Sequence, residues 1–229
     1  MPIAHVQTAS LGTTSASTSV ETSVGNTTTG NFLVVAAIWF GAGVTFTSVT
    51  DDGNQTYTLF GSQQTTSANS QKIRLYYTTN IIGRTAHKVK LTVSAGSAFP
   101  SIIISEFSGI HKTSPADVTA GAIGTGTALA SGATASRANA EELMIGIDTV
   151  EFNTNSSHTA GTNVAWTIPA NGAINDGTQF TCGALEYFIA SAVGTQQAEM
   201  TIGSSVAWAE IIGTFKAAST AGNIAWIKG

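Results

Sequence analysis

Two carboxylates on one strand are enough for retaining glycoside hydrolysis, one acting as nucleophile and the other as acid. A strand pattern Glu-aliphatic-Asp-x-x-Glu supplies such a pair. The nearest approach in this chain is Gly146-Ile147-Asp148-Thr149-Val150-Glu151, with glycine where the nucleophile would stand. Without that carboxylate the double displacement cannot run, so a hydrolase would have to draw on Glu106, Glu151 or Glu186. A serine nucleophile is no better marked. Gly-x-Ser-x-Gly is absent, and His5, His87, His111 and His158 lie in unrelated segments, so a Ser-His-Asp triad could only assemble in space. The expectation is a chain that is not an enzyme.

Metal chemistry is equally sparse. Asp51-Asp52-Gly53-Asn54 gathers oxygens of the kind a hard cation takes, but Asx side chains at a tight turn ordinarily cap the turn's own amides. His87 and His158 lack partners at ligand spacing. Cys182 is the single cysteine, which excludes an intrachain disulfide and a thiolate metal site. No cofactor is expected.

Binding is better represented than catalysis. Lys72 and Arg74 alternate along one expected strand, Lys88 and Lys90 along another, and Arg84 lies between them. Were these strands to pair as a hairpin, period two would turn both pairs outward and collect five of the nine basic residues in one patch. Such a patch suits an acidic partner, or a sheet edge protected by lysine. Tyr57, Trp166 and Trp208 are the loop aromatics that could stack on a sugar. Near the end of the chain, Ile224, Trp226 and Ile227 would either add a strand to a neighbouring subunit or fold back on the chain's own sheet.

The elements that carry these residues read as β throughout. Apolar residues recur with period two or in short bounded runs, and glycine and Asx residues punctuate them. Strands are expected at 3–8, 15–24, 32–40, 45–50, 56–60, 72–79, 88–94 and 101–108, then at 128–136, 142–152, 164–168, 179–190, 196–202 and 206–215, with 109–126 as a crossover.

The series is written twice, offset by about 110 residues. Residues 31–38 return as 141–148, Leu75-Tyr76-Tyr77 as Leu185-Glu186-Tyr187, 90–93 as 199–202, and 103–107 as 211–215. Four echoes in one order point to two copies of a multi-strand unit. The expected fold is an all-β, jelly-roll-like antiparallel sandwich over 1–216, with repeats at about 10–109 and 120–216 and a tail at 217–229. An open double-Greek-key sandwich is the alternative.

Charged residues make up 10% of the chain, against roughly 25% in ordinary soluble domains. Solubility therefore rests on Ser, Thr, Asn and Gln, a surface suited to contact with other subunits. Residues 1–120 carry six basic and five acidic side chains, and 121–229 carry three and eight, so the net −4 is concentrated in the second half. Nucleic-acid binding, which needs a concentrated positive footprint, is not expected. No apolar run approaches the roughly 20 residues of a membrane helix. The first residues lack a basic and an apolar region, so a secretory signal is not expected either.

A Ser/Thr-rich strand, then Gly30-Asn31-Phe32-Leu33-Val34-Val35, Val49-Thr50-Asp51-Asp52-Gly53-Asn54-Gln55-Thr56-Tyr57, Leu75-Tyr76-Tyr77 and Glu106-Phe107-Ser108-Gly109 together resemble a jelly-roll module of tailed-phage virion proteins and some bacterial surface proteins. The resemblance covers nearly all of the chain up to Lys216. It implies a virion component, either a capsid-decorating or a tail-accessory subunit made in the host cytoplasm. Its partners would be other virion proteins, copies of itself and, as an alternative role in adhesion, a host-surface glycan. The resemblance specifies a scaffold and no active site.

Overall fold

The computed structural model describes residues 1–67, 71–95, 98–151, 157–175 and 182–218. Among them are thirteen strands and no helix, and every strand pairing is antiparallel. The first half holds β1 (Ala4–Gly12), β2 (Ser19–Ser23), β3 (Phe32–Phe40), β4 (Phe46–Asp51), β5 (Thr58–Thr65), β6 (Gln71–Thr79), β7 (Lys88–Val93) and β8 (Phe99–Ser108). The second holds β9 (Ala116–Ala130), β10 (Glu141–Val150), β11 (Ala173–Asn175), β12 (Cys182–Ser191) and β13 (Glu199–Lys216). They form sheets in the orders β1-β8-β3-β6-β5, β2-β7-β4 and β11-β12-β10-β13-β9. The protein is an all-β sandwich.

β3 shows why the layers stack as they do. Its residues from Phe32 to Trp39 are all buried, so both faces must be covered. Phe32, Val34, Ala36 and Ile38 face the second half, joining Leu143, Ile145, Ile147, Leu185, Ile211 and Phe215 in one core. Leu33, Val35, Ala37 and Trp39 face the small sheet, joining Val20, Val89, Leu91 and Val93. Each valine, leucine, isoleucine and phenylalanine among them contributes roughly 1.5–3 kcal/mol through burial. Both halves thus share the central core, and Phe215 binds them most tightly. Its ring lies 4.8 Å from Phe32, 5.1 Å from Phe60 and 5.4 Å from Tyr77, centroid to centroid.

The halves repeat one pairing scheme. Ala36 stands between Leu75 and Ile103, as Ile147 stands between Leu185 and Ile211. Beyond the strands, Val24 and Thr27 donate to the carbonyls of His87 and Arg84, and Thr134 and Arg137 donate to those of Gln196 and Gly194. The registers place Phe32 opposite Leu143 in the repeat, 111 residues on. The sequence echo between 31–38 and 141–148 is therefore out by one. In a strand, one residue exchanges the two faces.

Four expected elements differ. Of the strand expected at 128–136 only 128–130 forms, as the end of β9. The stretch 109–126, expected as a crossover, contributes most of β9, whose Gly, Ala and Thr residues lack the apolar alternation that marks a strand. Residues 164–168 make a single bridge, Thr167 to Tyr187, instead of a strand. The stretches 196–202 and 206–215 merge into β13, which pairs with β9 on either side of an irregularity between Thr201 and Val206. Its first residues lie over the second half's sheet as an outer layer, and its later residues lie within that sheet.

Candidate functional site

The basic patch does not form. β6 pairs with β3 and β5, whereas β7 pairs with β2 and β4 in a different sheet, so the expected hairpin is absent. Each cation is engaged locally. The Arg74 guanidinium lies 4.7 Å from the centre of the Phe46 ring and donates to Gln63 and Tyr76, and Lys72 donates to the carbonyl of Gly41. Arg84 pairs with Asp52 at 3.2 Å and Lys88 with Glu21 at 3.6 Å. Lys90 stands opposite Glu21 on β2 and Thr50 on β4.

Two of the three aromatics expected to stack on a sugar are core residues, and the third, Tyr57, is half-buried. Trp166 and Trp208 are buried, with the Trp166 indole N–H donating to Asn163 and the Trp208 ring filling the space beside Gly124. The Tyr57 hydroxyl donates to Asp51 Oδ2 at 3.0 Å. Ile224, Trp226 and Ile227 lie outside the described residues. The chain is anchored as far as Ala218, with Ala217 bridged to Ile110 and the Ala218 amide donating to Gly109.

The Asx turn caps itself. Asp51 Oδ1 accepts the amides of Gly53 and Gln55, each at 2.9 Å. Asn54 takes the left-handed conformation at φ 55°, which asparagine tolerates better than most residues. Asp51 Oδ2 also meets His87 Nε2 at 3.0 Å, and His87 Nδ1 meets Thr27 Oγ1 at 3.0 Å. This hydroxyl–imidazole–carboxylate row has the order of a triad but is sealed. Thr27 and His87 are buried, and the Thr27 oxygen already accepts the Arg84 amide. The row ties the β4–β5 turn to the loops around β7. Of the remaining histidines, His5 stacks on Tyr187 and His111 accepts the amides of Thr113 and Ser114.

Glu106 and Glu151 are likewise structural. Glu106 is buried and accepts from Gln7, the Thr28 amide and Asn31. Its counterpart is instructive, because the second half puts the carboxylate on the other strand. Glu142 occupies the place of Asn31 and bonds to Thr214, which occupies the place of Glu106, while burial raises the Glu142 pKa. Glu151 accepts from Thr66.

Glu186 leads to the least ordinary site. Asp148 on β10, Glu186 on β12 and Glu210 on β13 are fully buried on the outward face of the second half's sheet. Asp148 and Glu210 are direct cross-strand partners, and Glu186 stands opposite Gly146, one pleat along. Gly146 is required there, since a Cβ would fall 2.7 Å from the Ala198 Cβ and 2.9 Å from the Glu186 Cγ. The position read as a missing nucleophile is therefore filled by a carboxylate from the neighbouring strand.

The three acids are held differently. Asp148 Oδ1 accepts the Ala184 amide, and Oδ2 lies 2.9 Å from His158 Nε2. The Glu186 oxygens accept the amides of Gly161 at 2.9 Å and Glu199 at 3.1 Å. Both oxygens of Glu210 lack a hydrogen-bond partner among the described residues. Burial, with repulsion from Asp148 and Glu199 added, pushes Glu186 up to about 8 despite its two amide donors. Burial first, and then Asp148, Glu186 and Glu199, hold Glu210 well above the carboxylate range. The cluster can take up and release protons. Among the described residues no three acidic, histidine or cysteine side chains converge as metal ligands would.

Comparison with protein-family models, curated proteins and solved structures gives no match to this chain.

Proposed function

We propose that this chain is a non-enzymatic structural subunit of a particle, docking through the open edges of its two large sheets onto copies of itself and onto other particle proteins. The observation that supports this is the pair of edge strands β5 and β9. Each ends its sheet, and the two edges abut where Gly61 meets Thr119. Across β5 and the fifteen residues of β9 the only charged side chain is Asp117, and there is no proline. Leu59 on β5 is 41% exposed and Ile123 on β9 is 48% exposed.

A free monomer guards such edges with lysine, proline, a bulge or a covering segment. The β5 edge carries an irregularity between Phe60 and Gln64 and meets β9 at Gly61, but neither edge carries lysine or proline, which suits a chain whose working state covers them. The sparse surface charge supports the same role. With the resemblance to phage jelly-roll modules, this supports the reading of a capsid-decorating or tail-accessory subunit located on the virion. Adhesion to a glycan would have the half-buried Tyr57 as its remaining stacking platform, Trp166 and Trp208 being buried.

Sedimentation of the purified protein over a range of concentrations tests the edges. The wild type should associate, and Leu59→Lys with Ile123→Lys should shift it toward monomer with little change in melting temperature, both sites being exposed. A wild type that stays monomeric at millimolar concentration, or phage particles from the producing cells that lack the chain, would overturn the proposal.

A further inference from the structure

The carboxylate cluster has a second feature beside its burial, which is what it holds in place. Both amides that cap Glu186 belong to the outer layer, Gly161 in the segment that follows His158 and Glu199 at the start of β13. The same layer is fastened by two backbone bonds between Thr159 and Thr201 and carries Trp166 inward. Glu186 is thus a direct tie between layer and sheet. Glu210 lies beneath the layer, fully buried and without a partner among the described residues.

We propose that Glu186 and Glu210, packed beside Asp148, form a proton-binding latch, which holds this outer layer on the sheet while the two are protonated and releases it as they ionise. The ionisable groups facing the cluster are few. Asp148 comes from β10, Glu186 from β12, Glu199 and Glu210 from β13, and His158 from the layer itself. Among the described residues no lysine or arginine pairs with any of the three acids, so His158 beside Asp148 is the one group that could carry opposing charge. A second negative charge on this face meets Asp148 in a medium that screens poorly.

The direction follows from linkage. Folded-state pKa values raised by burial mean that the closed state binds more protons than a state in which water reaches the same side chains. The closed state is fully favoured below the ordinary carboxylate range and loses ground as pH rises toward about 8, the value for Glu186. Opening the layer hydrates the acids and lets them ionise, so the layer should open locally before the sandwich unfolds.

Hydrogen exchange of the full chain between pH 5 and 9, corrected for intrinsic exchange rates, tests this. Protection of amides 159–167 should fall at least tenfold across that range, while amides 102–105 on β8 serve as an internal reference and stay protected. For each proton released on opening, the expected slope approaches tenfold per pH unit. Glu186→Gln combined with Glu210→Gln cannot ionise and should lose most of the dependence. A flat wild-type profile would overturn the latch, and it decides the matter alone if the double variant fails to fold. Equal loss at 102–105, or an unchanged slope in a folded double variant, would do the same. Restoration of protection at pH 9 by millimolar calcium or magnesium would also overturn it, by making the cluster a metal site.

Discussion

The first half fills the outward face of its large sheet with Ala37, Tyr76 and Ile102, and the second half puts Asp148, Glu210 and Glu186 on the corresponding face. The registers make these positions equivalent: Ala37 pairs with Ile102 as Asp148 pairs with Glu210, and Tyr76 stands opposite Val35 as Glu186 stands opposite Gly146. The same ladder of backbone bonds thus carries two opposite chemistries. What the halves hold in common is the inward face, where both contribute to one apolar core. The lesson is that the pairing scheme and the shared core keep the frame, which leaves the outward faces free to diverge. At these three positions only the second half carries acids, while the titratable groups of the first outward face stand elsewhere, Lys72 and Arg74 on β6 and Glu106 on β8.

The largest expected effects come from attacking the shared frame, or from giving one half the other's chemistry. Phe215→Ala empties a site where a ring of the second half packs on Phe32, Phe60 and Tyr77 of the first, and should cost about 3–5 kcal/mol in urea denaturation. Loss confined to one half's signals would show that the core is not shared energetically. Ile102→Glu places an acid where the first half has neither a facing histidine nor capping amides, and a similar cost of about 3–5 kcal/mol is expected at pH 8.

The reverse exchange should go the other way. Glu210→Leu replaces an acid without a partner by an apolar side chain of similar volume, and should raise stability at pH 8 by about 1–4 kcal/mol. The gain should shrink at pH 5, where the wild-type carboxyl holds its proton, and a gain independent of pH would show that burial does not raise the Glu210 pKa above its unfolded value. Smaller again is His87→Ala in the first half. It withdraws one partner from the buried Asp51 carboxylate and should cost about 1–3 kcal/mol, readable as a lowered melting temperature.

The frame was legible in the sequence because its signals are local. Runs such as Phe32–Phe40 and the Asp51–Asn54 turn announce themselves, and the echoes of Leu75 in Leu185 and Phe107 in Phe215 lie on equivalent strands. Whether β6 and β7 pair is a long-range matter, which period two along each strand cannot decide. β9 escaped notice because glycine and alanine carry neither a hydrophobic pattern nor a β preference. The acid cluster was half visible. Glu186 and Glu210 interrupt apolar stretches, and the echoes set them against Tyr76 and Ile102, but acids are ordinarily exposed, and only folding brings three separate strands together.

The position of β13 has a consequence for the order in which the molecule can be made. It lies between β10 and β9, so the second sheet lacks an interior member until residues 206–216 have left the ribosome. The first half needs nothing beyond Ser108 to complete both of its sheets. During synthesis it can therefore close early, with Phe32, Val34, Ala36 and Leu75 bare on one side. Until translation reaches the final strand, that nascent greasy surface is an invitation to chaperones.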